Sequence, residues 1–341
     1  MEQPESAMEG VEMKFEWHDK NVLVTGASGI LGSWLVKGLL SKKANVIGLI
    51  RDQVPLSELA LSGNINKISI VHGKLEDYSL IERAINEYEI DTVFHLGAQA
   101  IVKTAERFPI STFESNIKGT WNILEACRNN QTVRRVVVAS SDKAYGNSDK
   151  LPYTEDMPVA GENPYDASKS CCDILSQSYA KTYGLPITIA RCGNIYGGGD
   201  LNFNRIVPET IKAALHDENP IIRSDGTYIR DYLYVMDAVD AYMTLAEKTE
   251  EKSVKGQAFN FGTTKPTRVL DVVKMILEIS GKRKLKPIVK NTAKAEIREQ
   301  YLDCSKARKI LKWAYRYELN AGLMETFKWY QGFFKRQKPS G

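Results

Sequence analysis

Val22-Leu-Val-Thr-Gly-Ala-Ser-Gly-Ile-Leu-Gly32 is the stretch that decides the fold, because a β-strand pattern runs directly into three glycines spaced GxxGxxG. Glycines allow a tight turn and a close approach of the backbone to a ligand. The N-terminus of the helix that follows can then face a pyrophosphate. Since the motif follows a strand and opens a helix, it predicts a dinucleotide-binding site. The predicted cofactor residues of this segment are Gly26, Ser28, Gly29, Ile30 and Gly32.

Short β-branched runs alternate with amphipathic helical patterns through the first half of the chain. We predict strands at 21–25, 45–50, 67–71, 92–95, 135–139 and 186–190, with helices including 31–40, 80–88 and 112–128. This alternation indicates an α/β fold, a Rossmann-type doubly wound parallel sheet, with a smaller α+β C-terminal substrate domain. We assign 1–18 to a loosely held extension, 19–190 plus about 235–262 to the Rossmann domain, and 191–234 with 263–341 to the substrate domain.

The end of the second predicted strand bears on the choice of cofactor. Arg51 and Asp52 follow Ile50, about twenty positions beyond the glycines. An acidic residue there usually binds the ribose hydroxyls of NAD, whereas an arginine can accept the 2′-phosphate of NADP. Both are present, and Asp52 favours NAD, with NADP possible.

Tyr165 and Lys169 are spaced i and i+4, so that they share one face of a helix that Pro164 is suited to open. A lysine ammonium near a phenol lowers the phenol pKa, which would make Tyr165 a usable general base. Ser141 lies at a strand end between this pair and the glycine motif. None of the four histidines and five cysteines shows metal-ligand spacing, so we expect no metal and a structural role for His95.

Further motifs extend this pattern along the chain. They are His95-Leu-Gly-Ala-Gln99, Asn116-Ile-Lys-Gly-Thr120, Arg191-Cys-Gly-Asn-Ile-Tyr-Gly197 and Arg230-Asp-Tyr-Leu-Tyr-Val235. With them, the chain resembles the extended short-chain dehydrogenase/reductase family of nucleotide-sugar enzymes over nearly its whole length. The resemblance implies a Rossmann domain for the cofactor and a C-terminal domain for a nucleoside-diphosphate (NDP) sugar. It also implies a homodimer formed by two helices of each subunit.

The triplet Ser141-Asp142-Lys143 narrows the resemblance to the 4,6-dehydratases, and most closely to CDP-glucose 4,6-dehydratases. Gly32-Ser-Trp34, Gly197-Gly-Gly-Asp200 and Tyr301-Leu-Asp-Cys-Ser-Lys-Ala307 are similar to the same group. The resemblance implies that Tyr165 takes the proton of the sugar 4-OH, Asp142 is the acid toward O6 and Lys143 is the base at C5. Lys169 would hold the cofactor ribose, and Ser141 would hydrogen-bond the 4-oxygen. The product would be a 4-keto-6-deoxy sugar.

The resemblance also implies the remaining binding residues. For the cofactor they are Leu75, Leu96, Ala98 and Ile195, together with Tyr165 and Lys169. For the substrate they are Gln99, Asn116, Asn194, Arg205, Arg230 and Arg298, where arginine suits bidentate binding of a diphosphate. A structural role is an equal alternative for Asn116 and Asn194.

Two other functions remain open at this stage. One is an NDP-sugar 4-epimerase or related oxidoreductase on the same scaffold, with Asp142 and Lys143 incidental. The other is a cofactor-binding regulator without turnover, which the intact set of Ser141, Tyr165 and Lys169 disfavours.

Bulk properties set the remaining expectations. The net charge of +4 comes without a dense basic stripe, which argues against nucleic-acid binding. An acidic N-terminus without an apolar core and the lack of long apolar runs predict neither a signal peptide nor a membrane span, and hence a cytoplasmic protein. Apolar residues on several faces of the helices at 111–128 and 165–183, among them Trp121 and Ile174, predict a homodimer.

Overall fold

A computed structural model describes residues 15–292 and 296–337. The strands are β1 Asn21–Thr25, β2 Asn45–Ile50, β3 Ser69–His72, β4 Thr92–His95, β5 Arg135–Ala139, β6 Ile187–Cys192, β7 Asn194–Tyr196, β8 Ile221–Ile222, β9 Ile229–Arg230, β10 Tyr232–Tyr234, β11 Ala258–Phe261, β12 Thr267–Arg268, β13 Ile288–Val289 and β14 Glu299–Gln300. The helices are α1 Ile30–Ser41, α2 Glu58–Leu61, α3 Tyr78–Glu87, α4 Val102–Arg107, α5 Pro109–Phe113, α6 Gly119–Arg128, α7 Pro164–Tyr183, α8 Ile206–Leu215, α9 Val235–Lys248, α10 Val269–Ile279 and α11 Leu319–Gln337.

Seven parallel strands form the main sheet in the order β11-β6-β5-β4-β1-β2-β3. The chain builds outward from β1 to β3 and then returns to place β4 on the other side of β1. The connections therefore diverge between β1 and β4, and this is where doubly wound sheets open a ligand crevice at the carboxyl ends of their strands.

Helices cover both faces of this sheet, so its strands are buried on both sides. On one face α1 and α9 pack over residues such as Val22, Val24 and Phe94. On the other, α3, α6 and α7 pack over residues such as Leu23 and Val136. The predicted Rossmann-type doubly wound fold is confirmed.

The remaining strands form small sheets that pair β10 with β7, β13 with β8, and β9 with both β12 and β14. Helices α8 and α10 pack together around Ala214, Ile222 and Val273. The seventh strand of the main sheet, β11, comes from the stretch 235–262 that we assigned to the Rossmann domain. The division into two domains itself stays a prediction.

Two predicted segments differ in the structure. Of the extension at 1–18, residues 15–18 lie within the described part, and Trp17 is only 3% exposed. Its Nε1 donates to Glu247 Oε1 at 2.7 Å, so this end belongs to the core and is not loosely held. The predicted helix at 112–128 divides into α5, a π-helical stretch at Glu114–Lys118, and α6.

Within the described ranges, no helix is both long and apolar enough to cross a bilayer. All five cysteines are free thiols, and burial raises the pKa of the Cys192 thiol to about 12. These cysteines pack in the protein interior, with the half-buried Cys171 as the exception.

Candidate active site

The glycine turn leaves no room for side chains at the start of α1. Gly26 has a φ of +68°, and a Cβ there would lie 2.9 Å from the Cα of Gly97. A Cβ on Gly32 would lie 2.2 Å from the carbonyl oxygen of Gly26. No side chain caps α1 at Gly29, so the first backbone N–H groups of the helix remain available to an anion. These features fit the pyrophosphate of a dinucleotide.

His95 braces the strand ends beneath this turn. Its Nδ1 lies 3.0 Å from Thr25 Oγ1, and its Nε2 lies 3.0 Å from Thr120 Oγ1. Burial, followed by the charge of Lys169, lowers the His95 pKa to about 3, so the imidazole stays neutral. Both ring nitrogens thus face hydroxyls that hold β1, β4 and α6 together, which is the structural role expected of this histidine.

A single cleft of about 700 Å³ runs along the carboxyl ends of the strands and contains most of the predicted site. All predicted cofactor residues line it: Gly26, Ser28, Gly29, Ile30, Gly32, Arg51, Asp52, Leu75, Leu96, Ala98, Tyr165, Lys169 and Ile195. Arg51 and Asp52 form an ion pair with each other, with Arg51 Nε 2.6 Å from Asp52 Oδ2, and both are exposed. All five predicted catalytic residues line the same cleft.

Two elements bring the predicted catalytic side chains into the same cleft. Ser141 follows β5 and caps a short 3₁₀ turn at Asp142–Tyr145, where its hydroxyl accepts the Lys143 backbone N–H at 3.2 Å. Tyr165 lies in the first turn of α7, which begins at Pro164 as predicted, and Lys169 lies one turn later. Lys169 Nζ donates to the Ala139 carbonyl at 2.8 Å, which ties α7 to the end of β5.

The expected lowering of the Tyr165 pKa by Lys169 is not what the geometry produces. Burial raises the Tyr165 pKa, the charges of Asp142 and Asp166 raise it further, and a hydrogen bond from Ser141 opposes them. Burial also lowers the Lys169 pKa, and its amine is engaged by the Ala139 carbonyl. The physical reason is that desolvation disfavours both the phenolate and the ammonium. Ionisation of Tyr165 therefore needs positive charge beyond that of Lys169.

Asp142 and Lys143 follow the end of β5, but within the described residues they do not form an exposed ion pair with each other. Asp142 is 2% exposed; its Oδ1 accepts the Ser141 hydroxyl at 3.0 Å, whereas its buried Oδ2 has no partner among the described residues. Lys143 Nζ donates instead to Gln300 Oε1 at 2.8 Å. Burial lowers the Lys143 pKa, which moves this amine toward the neutral form that a base requires.

Three of the predicted substrate residues line the cleft, and three do not. Asn194, Arg205 and Arg230 line it. Asn116 is buried and instead accepts the Gln99 backbone N–H at 2.7 Å and donates to Ser168 Oγ at 2.8 Å, so it has the structural role. Gln99 Oε1 turns to the Ile101 backbone N–H at 3.0 Å.

Arg298 was predicted to bind the substrate, but its side chain does not line the cleft. It is 77% exposed, and its Nη2 lies 3.5 Å from Asp225 Oδ2. Its backbone carbonyl is what contacts the site, since it accepts a hydrogen bond of 3.1 Å from Arg230 Nη1. Glu296 Oε2 lies 3.5 Å from Arg230 Nη2 and belongs to the cleft lining.

Several residues that line the cleft were not predicted from the sequence. They include Asp166, Asp200, Arg223, Tyr228 and Glu296. Asp200 Oδ2 accepts from Arg205 Nη1 at 2.8 Å, while the Asp200 carbonyl accepts the Tyr330 hydroxyl at 2.6 Å. The Gly-Gly-Gly-Asp motif was the signal for Asp200, which orients Arg205. Asp166 lies between Tyr165 and Lys169, but their spacing says nothing about it. The remaining three stand in no motif, and a single arginine among 46 Lys and Arg residues carries no sequence signal.

This parallel sheet, with a glycine turn and a Ser141–Tyr165–Lys169 cluster in one cleft, defines a Rossmann-type enzyme of the short-chain dehydrogenase/reductase class. A model of the GDP-mannose 4,6 dehydratase family matches residues 23–326, and the chain belongs to this family. The prediction of an enzyme of the nucleotide-sugar 4,6-dehydratase group is confirmed.

Individual relatives carry both chemistries that the sequence left open. The chain is 27% identical over 333 residues to a CDP-glucose 4,6-dehydratase of Salmonella typhimurium, covering 94% of this chain and 92% of the relative. A dTDP-glucose 4,6-dehydratase of Bacillus anthracis, solved in complex with NAD, has a TM-score of 0.82 at 26% identity, with 94% and 99% covered. A UDP-glucose 4-epimerase of Thermotoga maritima, solved with UDP-glucose, has a TM-score of 0.84 at 30% identity, with 92% and 99% covered.

Proposed function

We propose that this enzyme converts an NDP-hexose to its 4-keto-6-deoxy form by internal hydride transfer with bound NAD. The observation that carries the proposal is the state of Asp142 and Lys143 within the cleft. Asp142 lines the cleft with one buried oxygen that has no hydrogen-bond partner among the described residues, and Lys143 has a lowered pKa and forms no ion pair with Asp142 in that part of the chain. An epimerase needs neither an acid for O6 nor a base for C5.

The proposed cycle begins at the sugar C4. Tyr165 takes the proton of the 4-OH as hydride leaves C4, and Ser141 orients the reacting oxygen. The resulting ketone acidifies the C5 proton, which Lys143 accepts while Asp142 protonates the departing O6. Hydride then reaches C6, and Lys143 returns a proton to C5. When bound, oxidised NAD would supply the hydride acceptor and a positively charged ring close to Tyr165.

Substrate binding is assigned to the C-terminal part of the chain, residues 191–234 and 263–341. Arg205 and Arg230 would bind the diphosphate, and Arg223 is a third arginine in the lining of the same cleft. For the nucleoside of the sugar nucleotide we propose cytidine. The support is the Ser141-Asp142-Lys143 triplet and the similarity to the Salmonella relative.

Product mass separates the candidate functions. The purified enzyme is incubated with NAD and, in turn, with the CDP, dTDP, UDP and GDP forms of glucose. A product lighter by one water is expected, fastest with CDP-glucose. The Thermotoga likeness favours the epimerase as the second candidate, which would leave the mass unchanged while altering the sugar. No reaction with any of the four sugars would favour the regulator.

The cofactor preference should depend on Asp52. If its carboxylate holds the ribose hydroxyls, it repels a 2′-phosphate, and NAD should bind more tightly than NADP; the NAD-bound relative agrees with this. Asp52→Ala should reduce the difference in affinity between NAD and NADP. Arg51→Ala should increase this difference, because Arg51 Nε lies 2.6 Å from Asp52 Oδ2 and partly neutralises the carboxylate. Titration calorimetry of both cofactors measures this, and preference of the unmodified enzyme for NADP would show that Arg51 dominates.

A homodimer is proposed from the apolar side chains that α6 and α7 leave exposed. Trp121 is 42% and Ile174 54% exposed, and Phe108 and Ile110, which precede α6 in the chain, reach 61% and 74%. Pairing of α6 and α7 with their symmetry mates would bury this patch. Because α7 carries Tyr165 and Lys169, dimerisation would brace the catalytic pair.

Light scattering of the unmodified protein should give the mass of two chains. Ile174→Asp should shift the equilibrium from the dimer toward the monomer. Ile288→Asp is the matched control, since Ile288 is 47% exposed on β13 and outside the patch. A single-chain mass for the unmodified protein at micromolar concentration would refute the dimer.

A cytoplasmic location is also proposed. Its support is the set of five free cysteines, since reduced thiols are typical of proteins that remain in the cytosol.

A further inference from the structure

The amine of Lys143, the proposed base at C5, lies among four charged side chains. Asp142 precedes it in the chain, Asp166 stands in the first turn of α7, and Arg230 and Glu296 belong to the same cleft lining. Burial lowers the Lys143 pKa and is the largest effect; Arg230 also lowers it, whereas the three carboxylates raise it. A further carboxylate in contact with the amine would favour the ammonium, which cannot accept a proton.

The contact that the amine makes is with a neutral group. Lys143 Nζ donates to Gln300 Oε1 at 2.8 Å, and within the described residues it forms no ion pair. A carboxamide oxygen accepts an N–H without carrying a charge. The contact with Gln300 therefore orients the amine without favouring its protonated form, and a neutral amine that donates one N–H there keeps its lone pair for a proton of the substrate.

The position of Gln300 is fixed by the backbone on which it stands. Strand β14 pairs with β9, and Gln300 is the register partner of Arg230. The next residue is held as well, because the Tyr301 carbonyl accepts the Tyr153 backbone N–H at 3.0 Å. Gln300 is 0% exposed and is not among the residues that line the cleft. It can therefore affect a bound sugar only through Lys143.

We propose that Gln300 is a positioning residue for the proton transfer at C5, where it holds the Lys143 amine at the cleft through a neutral acceptor. The inference rests on the proposed dehydration. In that step the C5–H bond breaks, and the proton forms a new N–H bond with the lone pair of Lys143. The electrons of the C5–H bond form a C5–C6 double bond as O6 leaves with the proton of Asp142 as water.

The first test places a charge beside the amine. Gln300→Glu keeps the length of the side chain, and an opposite charge within about 4–6 Å raises the pKa of an amine by roughly 1–3 pH units. The amine then becomes neutral only at higher pH. The reaction to follow is the exchange of the C5 proton of the isolated 4-keto-6-deoxy product, because this exchange uses neither Tyr165 nor Asp142.

Proton NMR in D₂O with NAD-loaded enzyme measures the exchange at C5 as a function of pH. At low pH, Gln300→Glu should slow it by about 10–10³-fold, the same displacement expressed as a rate, and the rate should recover as the pH is raised. Gln331→Glu is the matched control, since it adds the same charge at an exposed position of α11. Its pH profile should equal that of the unmodified enzyme.

The second test removes the acceptor without adding a charge. Gln300→Met should slow exchange at C5 by about tenfold, the scale of one hydrogen bond, with no displacement of the profile to higher pH. In a Lys143→Met background the same substitution should have no further effect, because a positioning residue acts only through its partner.

Two results would overturn the proposal. One is a Gln300→Glu profile that coincides with that of the unmodified enzyme. The other is an equal loss from Gln300→Met with and without Lys143, which would make the effect of Gln300 merely structural. Failure of the proposed function is a separate result, because the unmodified enzyme would then release no product lighter by one water from any sugar nucleotide.

Discussion

Tyr165→Phe should reduce turnover by about 10²–10⁴-fold or more, while the fold and the binding of NAD remain intact. The substitution removes only the phenolic oxygen of a side chain that lines the cleft. The ring keeps its packing in the first turn of α7, and the glycine turn that receives the pyrophosphate is untouched. Without the proton acceptor, hydride transfer from C4 has no route to a neutral ketone.

Steady-state product formation measures this loss, and calorimetric titration with NAD checks the binding site. Tyr183→Phe is the matched control, because Tyr183 ends the same helix with its side chain 56% exposed. Its activity should equal that of the unmodified enzyme. Near-normal activity in Tyr165→Phe would assign the base to another group.

Asp142→Asn should stop the reaction after oxidation, with a loss of about 10²–10⁴-fold in dehydration. Asparagine has nearly the same shape, and its amide oxygen can still accept the Ser141 hydroxyl that now lies 3.0 Å from Oδ1. It cannot transfer a proton to O6, so the 4-keto sugar should accumulate on the enzyme together with reduced cofactor.

Stopped-flow absorbance of reduced nicotinamide should therefore rise and persist in Asp142→Asn, while mass spectrometry detects little dehydrated product. Asp149→Asn makes the same chemical change at an exposed position and should behave like the unmodified enzyme. Unchanged dehydration in Asp142→Asn would reduce Asp142 to a structural residue and strengthen the epimerase alternative.

Elements with a strong local sequence pattern are the ones whose bounds the sequence predicts correctly. Strands β1, β2, β4 and β5 have the bounds that their apolar runs predict, since a strand buried on both faces is a short continuous apolar segment between polar ones. Strand β11 was not among the predicted strands. It is four residues long and includes the buried polar residue Asn260, which donates to the Tyr153 carbonyl at 3.0 Å. A contact between residues so far apart in the chain leaves no local signal.

For the predicted site residues, motifs indicated which backbone segments lie at the cleft better than they indicated where each side chain points. Arg230 and Arg298 were assigned the same role, yet the Arg230 side chain lines the cleft and the Arg298 side chain faces solvent. Asn116 belongs to a motif, yet it does not line the cleft, and its side chain accepts a hydrogen bond from the Gln99 backbone. Spacing along the chain determines which backbone segment reaches a site, whereas packing against other elements determines where each side chain turns.

The sequence by itself determined the Rossmann fold and the glycine turn, and it predicted a catalytic set whose members line one cleft, because each of these depends on residues within one strand, turn or helix. Only the tertiary structure decided the electrostatic state of that set. Lys143 meets Gln300 across 157 residues, and Arg205 is oriented by an aspartate that Tyr330 holds across 130. The raised pKa of Tyr165 likewise comes from burial and from Asp142 and Asp166. Desolvation and charge depend on everything packed around a group, and that environment exists only after distant segments have come together.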